Sequence, residues 1–343
     1  MRGYNRMVGG TEVRVGFLPS WYYGNYGFAC DERYYFDAEY RTRVDMEIDR
    51  AMWGRFPDLK LGDPDPRPQP CLPCCNGTIP ALFGAHLRFA PDKFVWEEHV
   101  DVEEDEAARL TIPDVASTYP VRQFRDQAAY LFGQYGARVG TPTIQGPLNN
   151  ALKVRGPEFL VDLLERPALA HYVLSVMAET MAEIVRLFDA FIDPTTYLPF
   201  LAECTVTMVA PATYRAVVYE HDRQFLHAVA GYRRLMIHHC GRIDEYLADY
   251  AGLSPTILHI GFRSNARKAL DAFPGLPVIQ LVSPVVLLNS GPQEVYSHVR
   301  ELLAIGEGAR DGRYGIDMAD IELGTPDENV RAAFEAVRDH ACQ

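Results

Sequence analysis

From about residue 120 onward, short apolar runs alternate with longer amphipathic stretches. The runs fit strands of about four to seven residues, and the stretches fit helices of about ten to fifteen. This alternation continues for at least five units and indicates parallel strands joined by helices. Because the chain contains no GxGxxG turn, the pattern favours a single (β/α)₈ barrel, an α/β fold, over an open dinucleotide-binding sheet.

The predicted elements can be placed directly on the sequence. The predicted strands are TPTIQGP, TYLPFLAE, RRLMIHHCG, PTILHIG, LPVIQLV and RYGIDMA. The predicted helices are QFRDQAAYLFGQYG, Pro157 to Phe191 with a break at Pro167, Thr213 to Tyr232, IDEYLADYAGL, ARKALDAFPG, PQEVYSHVRELLAIG and TPDENVRAAFEAVRDHA. We therefore expect one continuous succession of strands and helices from about residue 120 onward rather than two separate domains.

The N-terminal part of the chain is different, because it is aromatic and irregular. It contains GFLPSWYYGNYGFACDERYYF and then the proline-rich stretch LGDPDPRPQPCLPCCNGT. Such aromatic side chains either cover a core or wall a pocket, whereas the prolines exclude a helix. We predict that residues 1–75 form an N-terminal extension that packs on the barrel, and that residues 76–343 form the barrel itself.

The composition permits a large core and limits the partners. Of the 343 residues, 48% are hydrophobic and 23% are charged, which is typical of a folded globular chain. The formal net charge of −13 argues against nucleic acid as a partner, since such proteins usually carry a basic stripe. It does not exclude an anionic substrate, because a few arginines can bind a carboxylate inside an acidic protein.

The termini and cysteines indicate a cytoplasmic protein. The N-terminal sequence MRGYNRMVGGTEVRV lacks the apolar core of a secretory signal, and no apolar run looks long enough to span a bilayer. We therefore predict no membrane partner, and mostly reduced thiols among the seven cysteines. Cys71, Cys74 and Cys75 have a CxxC spacing but no second ligand pair nearby, which favours buried or partly buried thiols over a zinc site.

Polar residues at the predicted strand ends are the candidate site residues, because barrel enzymes place their active sites there. These candidates are Gln145, Glu203, His238, Cys240, His259 and the segment around Ala319. His238 and Cys240 are two residues apart on a strand and share a face, whereas His239 points to the other. One imidazole and one thiolate suit zinc, although a packed His–Cys pair without metal is the commoner arrangement.

Glu203 follows the apolar run PFLA and has two interpretations. It is either a solvated loop residue or a carboxylate in the pocket, and its place at a strand end favours the second. Cys204 offers a second sulfur beside it. Neighbouring strand residues face opposite ways, so Glu203 and Cys204 are not expected to be ligands together.

Four segments resemble one enzyme superfamily. They are QGPLNNALKVRGPEFLVDLLERPALAHYVL, IHHCGRIDEYLADYAGLSPTILHIG, FPGLPVIQLVSPVVLLNSGPQEVYSHVRELL and ELGTPDENVRAAFEAV. In this order and spacing, over roughly residues 75–340, they resemble the uroporphyrinogen decarboxylase superfamily. That superfamily comprises the decarboxylase and the corrinoid-linked methyltransferases. The resemblance implies a (β/α)₈ barrel and allows a homodimer.

Within that superfamily the chain is more similar to the methyltransferase and O-demethylase branch. It lacks the decarboxylase segment RQAGRYxPEY and has SWYYGNYGFACDERYYFDAEYRTR instead. The methyltransferase branch holds zinc with a His-x-Cys pair, which His238 and Cys240 match, and a later cysteine, in whose place this chain has Ala319. The resemblance leaves Glu203 as the third metal ligand, with Asp317 and Asp320 as substitutes. A zinc site with a single thiolate ligand would be better suited to polarising an ether or hydroxyl oxygen than to activating a thiol.

The resemblance thus implies a zinc-assisted methyltransferase. It moves a methyl group between a small methylated substrate and a corrinoid, a cobalamin carried by a separate protein. In this interpretation Glu203 and His239 are catalytic, and Gln145, Asn149 and His259 bind substrate. The N-terminal aromatic side chains wall the pocket.

Two alternatives remain at this point. A decarboxylase of an acidic tetrapyrrole would need several arginines converging on the pocket, and the arginines available are Arg122, Arg125, Arg155, Arg215 and Arg263. A barrel without catalytic activity, serving as a subunit of a corrinoid system, is suggested by the missing third cysteine at Ala319.

Overall fold

A seven-stranded, mostly parallel sheet organises the chain. The computed structural model describes residues 3–195, 197–229, 231, 234–306 and 313–341. The strands of the main sheet lie in the order β1-β2-β9-β8-β7-β6-β5, and only the pair β1–β2 is antiparallel. The strands are β1 Gly3–Val8, β2 Thr11–Phe17, β5 Phe200–Ala202, β6 Met236–His238, β7 Ile257–Ile260, β8 Val278–Leu281 and β9 Tyr314–Ile321, with a separate pair β3 Leu87–Arg88 and β4 Trp96–Glu97.

Helices connect the strands and cover the sheet. The first half contains α1 Pro19–Tyr26, α2 Glu32–Phe36, α3 Ala38–Arg55, α4 Thr78–Leu82, α5 Glu104–Ala107, α6 Val121–Tyr135, α7 Pro147–Arg155, α8 Glu158–Glu165 and α9 Pro167–Phe188. The second half contains α10 Pro211–Thr213, α11 Tyr219–Ala228, α12 Leu247–Gly252, α13 Ala266–Ala272, α14 Pro284–Asn289, α15 Pro292–Ile305 and α16 Asp327–Ala341. The architecture is an α/β fold, as predicted.

Five of the six predicted strands are confirmed as β5 to β9, and they run parallel. The sixth, TPTIQGP, does not join the sheet: its residues have no strand assignment, and Gln145 has a left-handed φ of 51° that interrupts an extended backbone. The described sheet consequently has two edges, at β1 and β5. Its hydrogen bonds do not themselves close a barrel of eight strands.

The N-terminal residues contribute to the sheet, which the sequence analysis did not predict. β1 and β2 form a hairpin across Gly9 and Gly10, both of which have positive φ, and β2 pairs in parallel with β9. Val13, Val15 and Phe17 alternate with more exposed residues and are buried. This period-two pattern is a strand signal. The description of residues 1–75 as an irregular extension is therefore wrong for residues 3–17.

Helix α9 is the central core helix. Pro167 begins it and separates it from α8, as predicted. The stretch Pro167–Phe191 is long and apolar enough to span a membrane, contrary to the sequence analysis, but 61% of its most apolar window is buried inside the protein. Burial of that kind is typical of a core helix.

The predicted helix from Thr213 to Tyr232 is interrupted. A π-helical turn, Tyr214–Val218, precedes α11, which ends at Ala228. Tyr232, where the sequence analysis ended the helix, lies outside the described residues. The π turn directs Tyr214 into the core, where its hydroxyl donates to Asp222 at 2.7 Å.

Candidate metal centre

Parallel strands bring the candidate residues to one edge of the sheet. Ala202 on β5 pairs with His238 at the end of β6, and His238 pairs with His259 on β7. The chain positions just after these strands therefore adjoin one another, at the carboxyl edge where α/β enzymes bind ligands. A short 3₁₀ turn beginning at Cys204 follows β5, and Cys240 follows β6.

Three of these side chains form a compact group of metal-ligand atoms. Cys204 Sγ lies 3.4 Å from Cys240 Sγ, and His238 Nε2 lies 3.1 Å from Cys240 Sγ. The ligand atoms of all three residues lie within 4.8 Å of one another. Two sulfurs and one imidazole nitrogen are a donor set that zinc accepts, and three protein ligands leave a tetrahedral ion one open position. The predicted pair His238 and Cys240 thus lies in a cluster that Cys204 completes.

The structure does not place Glu203 in this cluster. Its side chain is fully buried and points the other way, toward the first turn of α7. Its carboxylate accepts hydrogen bonds from the backbone N–H groups of Leu148 and Asn149 at 2.8 and 3.0 Å. A carboxylate at a helix N-terminus is stabilised by these otherwise unpaired donors. Glu203 therefore caps α7 from a buried position, and the structure does not support its predicted roles as third metal ligand and catalytic group.

Glu203 has a second carboxyl group beside it. Burial raises the pKa of Asp222 to about 7 and raises that of Glu203 as well, and the two side chains hydrogen bond. Because the α7 amides favour an ionised Glu203, the shared proton belongs on Asp222 Oδ1, which has no other partner among the described residues. Tyr214 donates to the opposite oxygen of Asp222.

The two thiols of the cluster differ in acidity. The hydrogen bond with Cys240 and the neighbouring His238 lower the pKa of Cys204 to about 4. The same pairing with Cys204 raises the pKa of Cys240, and burial adds to the effect. The contact between the two thiols therefore favours a thiolate on Cys204. Thiolate is the form that binds metals.

His238 is oriented by residues behind it. Its Nδ1 lies 2.6 Å from Nδ1 of His259, and Nε2 of His259 lies 3.2 Å from Asp317 Oδ2. Burial lowers the pKa of His259, which favours the neutral form of its ring. This chain of contacts directs Nε2 of His238 toward the thiols, as carboxylates that accept from the other ring nitrogen do for zinc-binding histidines. His259, predicted to bind substrate, instead lies behind His238 and outside the cavity lining.

His239 also lies away from the cluster. Its side chain is completely buried, and its ring stacks on Tyr250 with centroids 4.9 Å apart. Burial lowers its pKa to about 3. Strand alternation sends it to the opposite face from His238, as the sequence analysis recognised. Because it has no access to the cavity, the structure does not support the catalytic role predicted for it.

A cavity of about 600 Å³ opens above the ligand cluster. Cys204, His238 and Cys240 form part of its lining. The remaining lining residues are Cys74, Asn76, Phe94, Thr141, Pro142, Thr143, Ile144, Gln145, Asn149, Tyr197, Leu198, Phe200, Ala202 and Asp320. The cavity therefore combines a metal-ligand group with apolar walls and a few polar side chains, as small-molecule sites do.

Two of the three predicted substrate-binding residues, Gln145 and Asn149, line this cavity. Asn149 also contacts the segment that carries Cys204, because its side-chain oxygen accepts from the backbone N–H of Thr205 at 2.9 Å. The aromatic wall is formed by Phe94, Tyr197 and Phe200. The N-terminal aromatic residues were predicted to wall the pocket, but none of those that the structure describes lines this cavity; most pack in the core, whereas Tyr23 and Tyr26 are exposed.

Phe17 and Trp21 exemplify this core packing. Their ring centroids lie 4.3 Å apart, and both side chains are buried. Phe17 also stacks on Phe56. These contacts confirm the covering role, one of the two roles that the aromatic N-terminal segment allowed.

The CxxC cluster separates into different environments. Cys75 is buried, which raises its pKa to about 12, whereas Cys71 and Cys74 are exposed. Cys74 lines the cavity, which the sequence analysis did not predict. Asp320, named there only as a substitute ligand, also lines it, and burial followed by the charge of Asp317 raises its pKa.

Comparisons with solved structures agree with this architecture. A methyltransferase from Methanosarcina mazei superposes with a TM-score of 0.69 at 15% identity, covering 94% of this chain and 93% of its own. A B12-independent methionine synthase from Shewanella sp. W3-18-1, in complex with selenomethionine, superposes with a TM-score of 0.50 at 12% identity, covering 97% of each chain. At these identities the likeness establishes the fold.

Sequence comparison gives the family. A search of curated protein sequences returns no match to this chain. The family model described as uroporphyrinogen decarboxylase (URO-D) matches residues 71–340, most of the chain and close to the span of the four segments singled out above. The chain belongs to the uroporphyrinogen decarboxylase family.

Proposed function

We propose that this protein is a zinc-assisted methyltransferase that moves a methyl group between a small sulfur compound and a corrinoid carried by a separate protein. The observation that carries the proposal is the group Cys204, His238 and Cys240 in the lining of the cavity. The proposal also takes the sheet as the wall of a (β/α)₈ barrel, with the active site at the carboxyl ends of its strands.

The residues present fit zinc. Cys204, His238 and Cys240 would hold the ion, while His259 and Asp317 fix the orientation of the histidine. When bound, zinc at such a site supplies a Lewis acid that keeps a substrate thiol deprotonated at neutral pH. The cavity walls exclude bulk water from the sulfur and hold the substrate in place.

The second sulfur changes the expected substrate. With Glu203 as the third ligand, the site would have been suited to an oxygen atom. Cys204 makes it rich in sulfur, and soft thiolate surroundings favour a soft substrate atom. We therefore infer that the small substrate is a thiol when unmethylated and a thioether when methylated.

The corrinoid would approach from outside. A corrinoid ring is too large to enter a cavity of about 600 Å³, so it would lie across the opening, presented by its carrier protein. Asn76 and Cys74, which line the cavity and are exposed, would then lie close to that carrier.

The decarboxylase alternative lacks its required feature. No arginine or lysine of the described residues lines the cavity. Arg155 is buried in an ion pair with Asp162, and Arg215 pairs with Asp249 at the surface. A cavity without cations is poorly suited to a substrate with several carboxylates. The non-catalytic alternative loses its motivation, because Cys204 supplies the sulfur that is missing at Ala319.

The test uses zinc-loaded protein with free methylcobalamin as the methyl donor and 2-mercaptoethanol as the acceptor. The expected result is thioether formation, detected by mass spectrometry, that depends on enzyme and is abolished in Cys240→Ala. Cys71→Ala removes a thiol outside the cavity and should remain active. If wild type and Cys240→Ala form thioether at the same rate, the proposed function is wrong.

A further inference from the structure

The charges around the cavity restrict what else the substrate can carry. Among the described lining residues, Asp320 is the only carboxylate, and no lysine or arginine is present. With zinc bound, the two thiolates would balance the charge of the ion, so the lining as a whole would carry only the negative charge of Asp320. An anionic substituent on the substrate would meet no cation, and a cationic one would meet a carboxylate.

Asp320 adopts an energetically unfavourable backbone conformation beside the cavity. It lies near the C-terminal end of β9 with a left-handed φ of 62°. Left-handed backbone is unfavourable for residues other than glycine, and aspartate tolerates it better than most. No described residue forms a hydrogen bond or ion pair with its carboxylate. Backbone strain of this kind concentrates at ligand sites, where it pre-organises a side chain for binding.

Gln145 provides a second, independent acceptor. It also has a left-handed φ, of 51°, and it lines the same cavity. Its side-chain oxygen is buried and has no hydrogen-bond partner among the described residues. A buried acceptor without a donor is costly. A substrate with several N–H donors would satisfy it.

The aromatic wall is compatible with the same kind of substrate. Phe94, Tyr197 and Phe200 line the cavity, and Phe200 stacks on His238 with ring centroids 5.2 Å apart. The faces of aromatic rings attract cations. They also contact methylene groups well, so the wall suits a short carbon chain between a thiol and a charged group.

We propose that the methyl-accepting substrate is an aminothiol, a thiol whose other end carries a protonated amine and no anionic group, bound through Asp320 and Gln145. This inference rests on the proposed function, because it assumes that a substrate sulfur reaches the ligand cluster. It goes further by assigning the amine end of the substrate to Asp320 and Gln145, which line the same cavity as the ligand cluster.

The test measures the binding of three short thiols to zinc-loaded protein by isothermal titration calorimetry. 2-Aminoethanethiol carries a cation, 2-mercaptoethanol is neutral, and 3-mercaptopropionate carries an anion. Because their thiol acidities differ, the decisive quantity for each thiol is its dissociation constant in a variant divided by that in the wild type. Asp320→Asn preserves size and tolerates the left-handed backbone. Glu322→Gln removes an equal charge two residues away, outside the cavity lining.

We expect Asp320→Asn to weaken binding of 2-aminoethanethiol about tenfold. Binding of 2-mercaptoethanol should stay unchanged, which also shows that the variant is folded, and Glu322→Gln should alter neither. Equal effects of Asp320→Asn on the cationic and neutral thiols would overturn the aminothiol assignment and leave the proposed function standing. If none of the three thiols binds the zinc-loaded wild type, both fail.

Discussion

Replacing Asp222 with asparagine should stabilise the protein at neutral and alkaline pH. Asp222 is completely buried beside Glu203, and no cation compensates either carboxyl group. An asparagine at this position has nearly the same shape. Its amide N–H can donate to Glu203, and its carbonyl oxygen can accept from Tyr214 as the carboxylate does now. The variant therefore keeps the hydrogen bonds and removes the need to bind a proton.

The magnitude follows from the pKa of Asp222. Burial raises it from an ordinary value of 3.8 to about 7. A carboxyl group whose pKa is raised in the folded state contributes its stability at low pH, and that contribution is lost as pH rises toward 7. Each pKa unit corresponds to about 1.4 kcal/mol, so the loss amounts to at most about 4 kcal/mol. Asp222→Asn should gain up to that amount at pH 8 and nothing at pH 4.

Urea denaturation followed by circular dichroism, at pH values from 4 to 8, measures this difference. The matched control is Asp162→Asn, because Asp162 is equally buried but pairs with Arg155 and Arg166. Loss of the Asp162 charge leaves a buried cation without its partner and should lower the free energy of unfolding by about 3 kcal/mol at pH 8. If Asp222→Asn is as destabilising as Asp162→Asn at pH 8, the assignment of the shared proton is incorrect.

Two further predictions concern the same region. In Gly146→Ala, the added Cβ would lie 2.3 Å from Cδ of the immobile Glu203. We therefore expect a loss of about 1–3 kcal/mol in unfolding free energy, measured by denaturation, and weaker zinc binding, measured by competition with a chelator. An unchanged variant would show that Glu203 is free to move. Because burial lowers the pKa of His239 to about 3, the free energy of unfolding of the wild type should fall as pH decreases below about 6.5. His239→Phe preserves the stacking on Tyr250 and should remove that part of the acid sensitivity, as measured by denaturation from pH 7 to 4. The same pH dependence of unfolding free energy in both proteins would contradict this prediction.

The sequence predicted the fold where hydrophobic periodicity was strong. Strands β5 to β9 are buried parallel strands, and such strands appear as short apolar runs between helical patterns. The hairpin β1–β2 was missed because its alternation, Val13, Val15 and Phe17, stands beside a conspicuously aromatic segment. TPTIQGP was wrongly predicted as a strand, since a left-handed residue at Gln145 is not visible in an apolar pattern.

The site was predicted in location but not in full composition. His238 and Cys240 follow from strand alternation, and the same rule correctly sends His239 away from them. The choice between Glu203 and Cys204 depended on where β5 ends, a boundary that propensity does not resolve. The strand ends at Ala202, and Glu203 turns to cap α7, which leaves Cys204 facing its partners.

The central claim is that Cys204, rather than Glu203, completes a metal centre with His238 and Cys240. Zinc content and affinity, measured by atomic emission and chelator competition, test it on wild type, Cys204→Ala, Glu203→Gln and the control Cys71→Ala. We predict one zinc ion per chain in wild type and in Cys71→Ala, and affinity at least about 100-fold weaker in Cys204→Ala. Cobalt substitution should show about half the thiolate-to-metal absorption in Cys204→Ala. Wild-type affinity in Cys204→Ala, together with zinc loss in Glu203→Gln, would contradict the account.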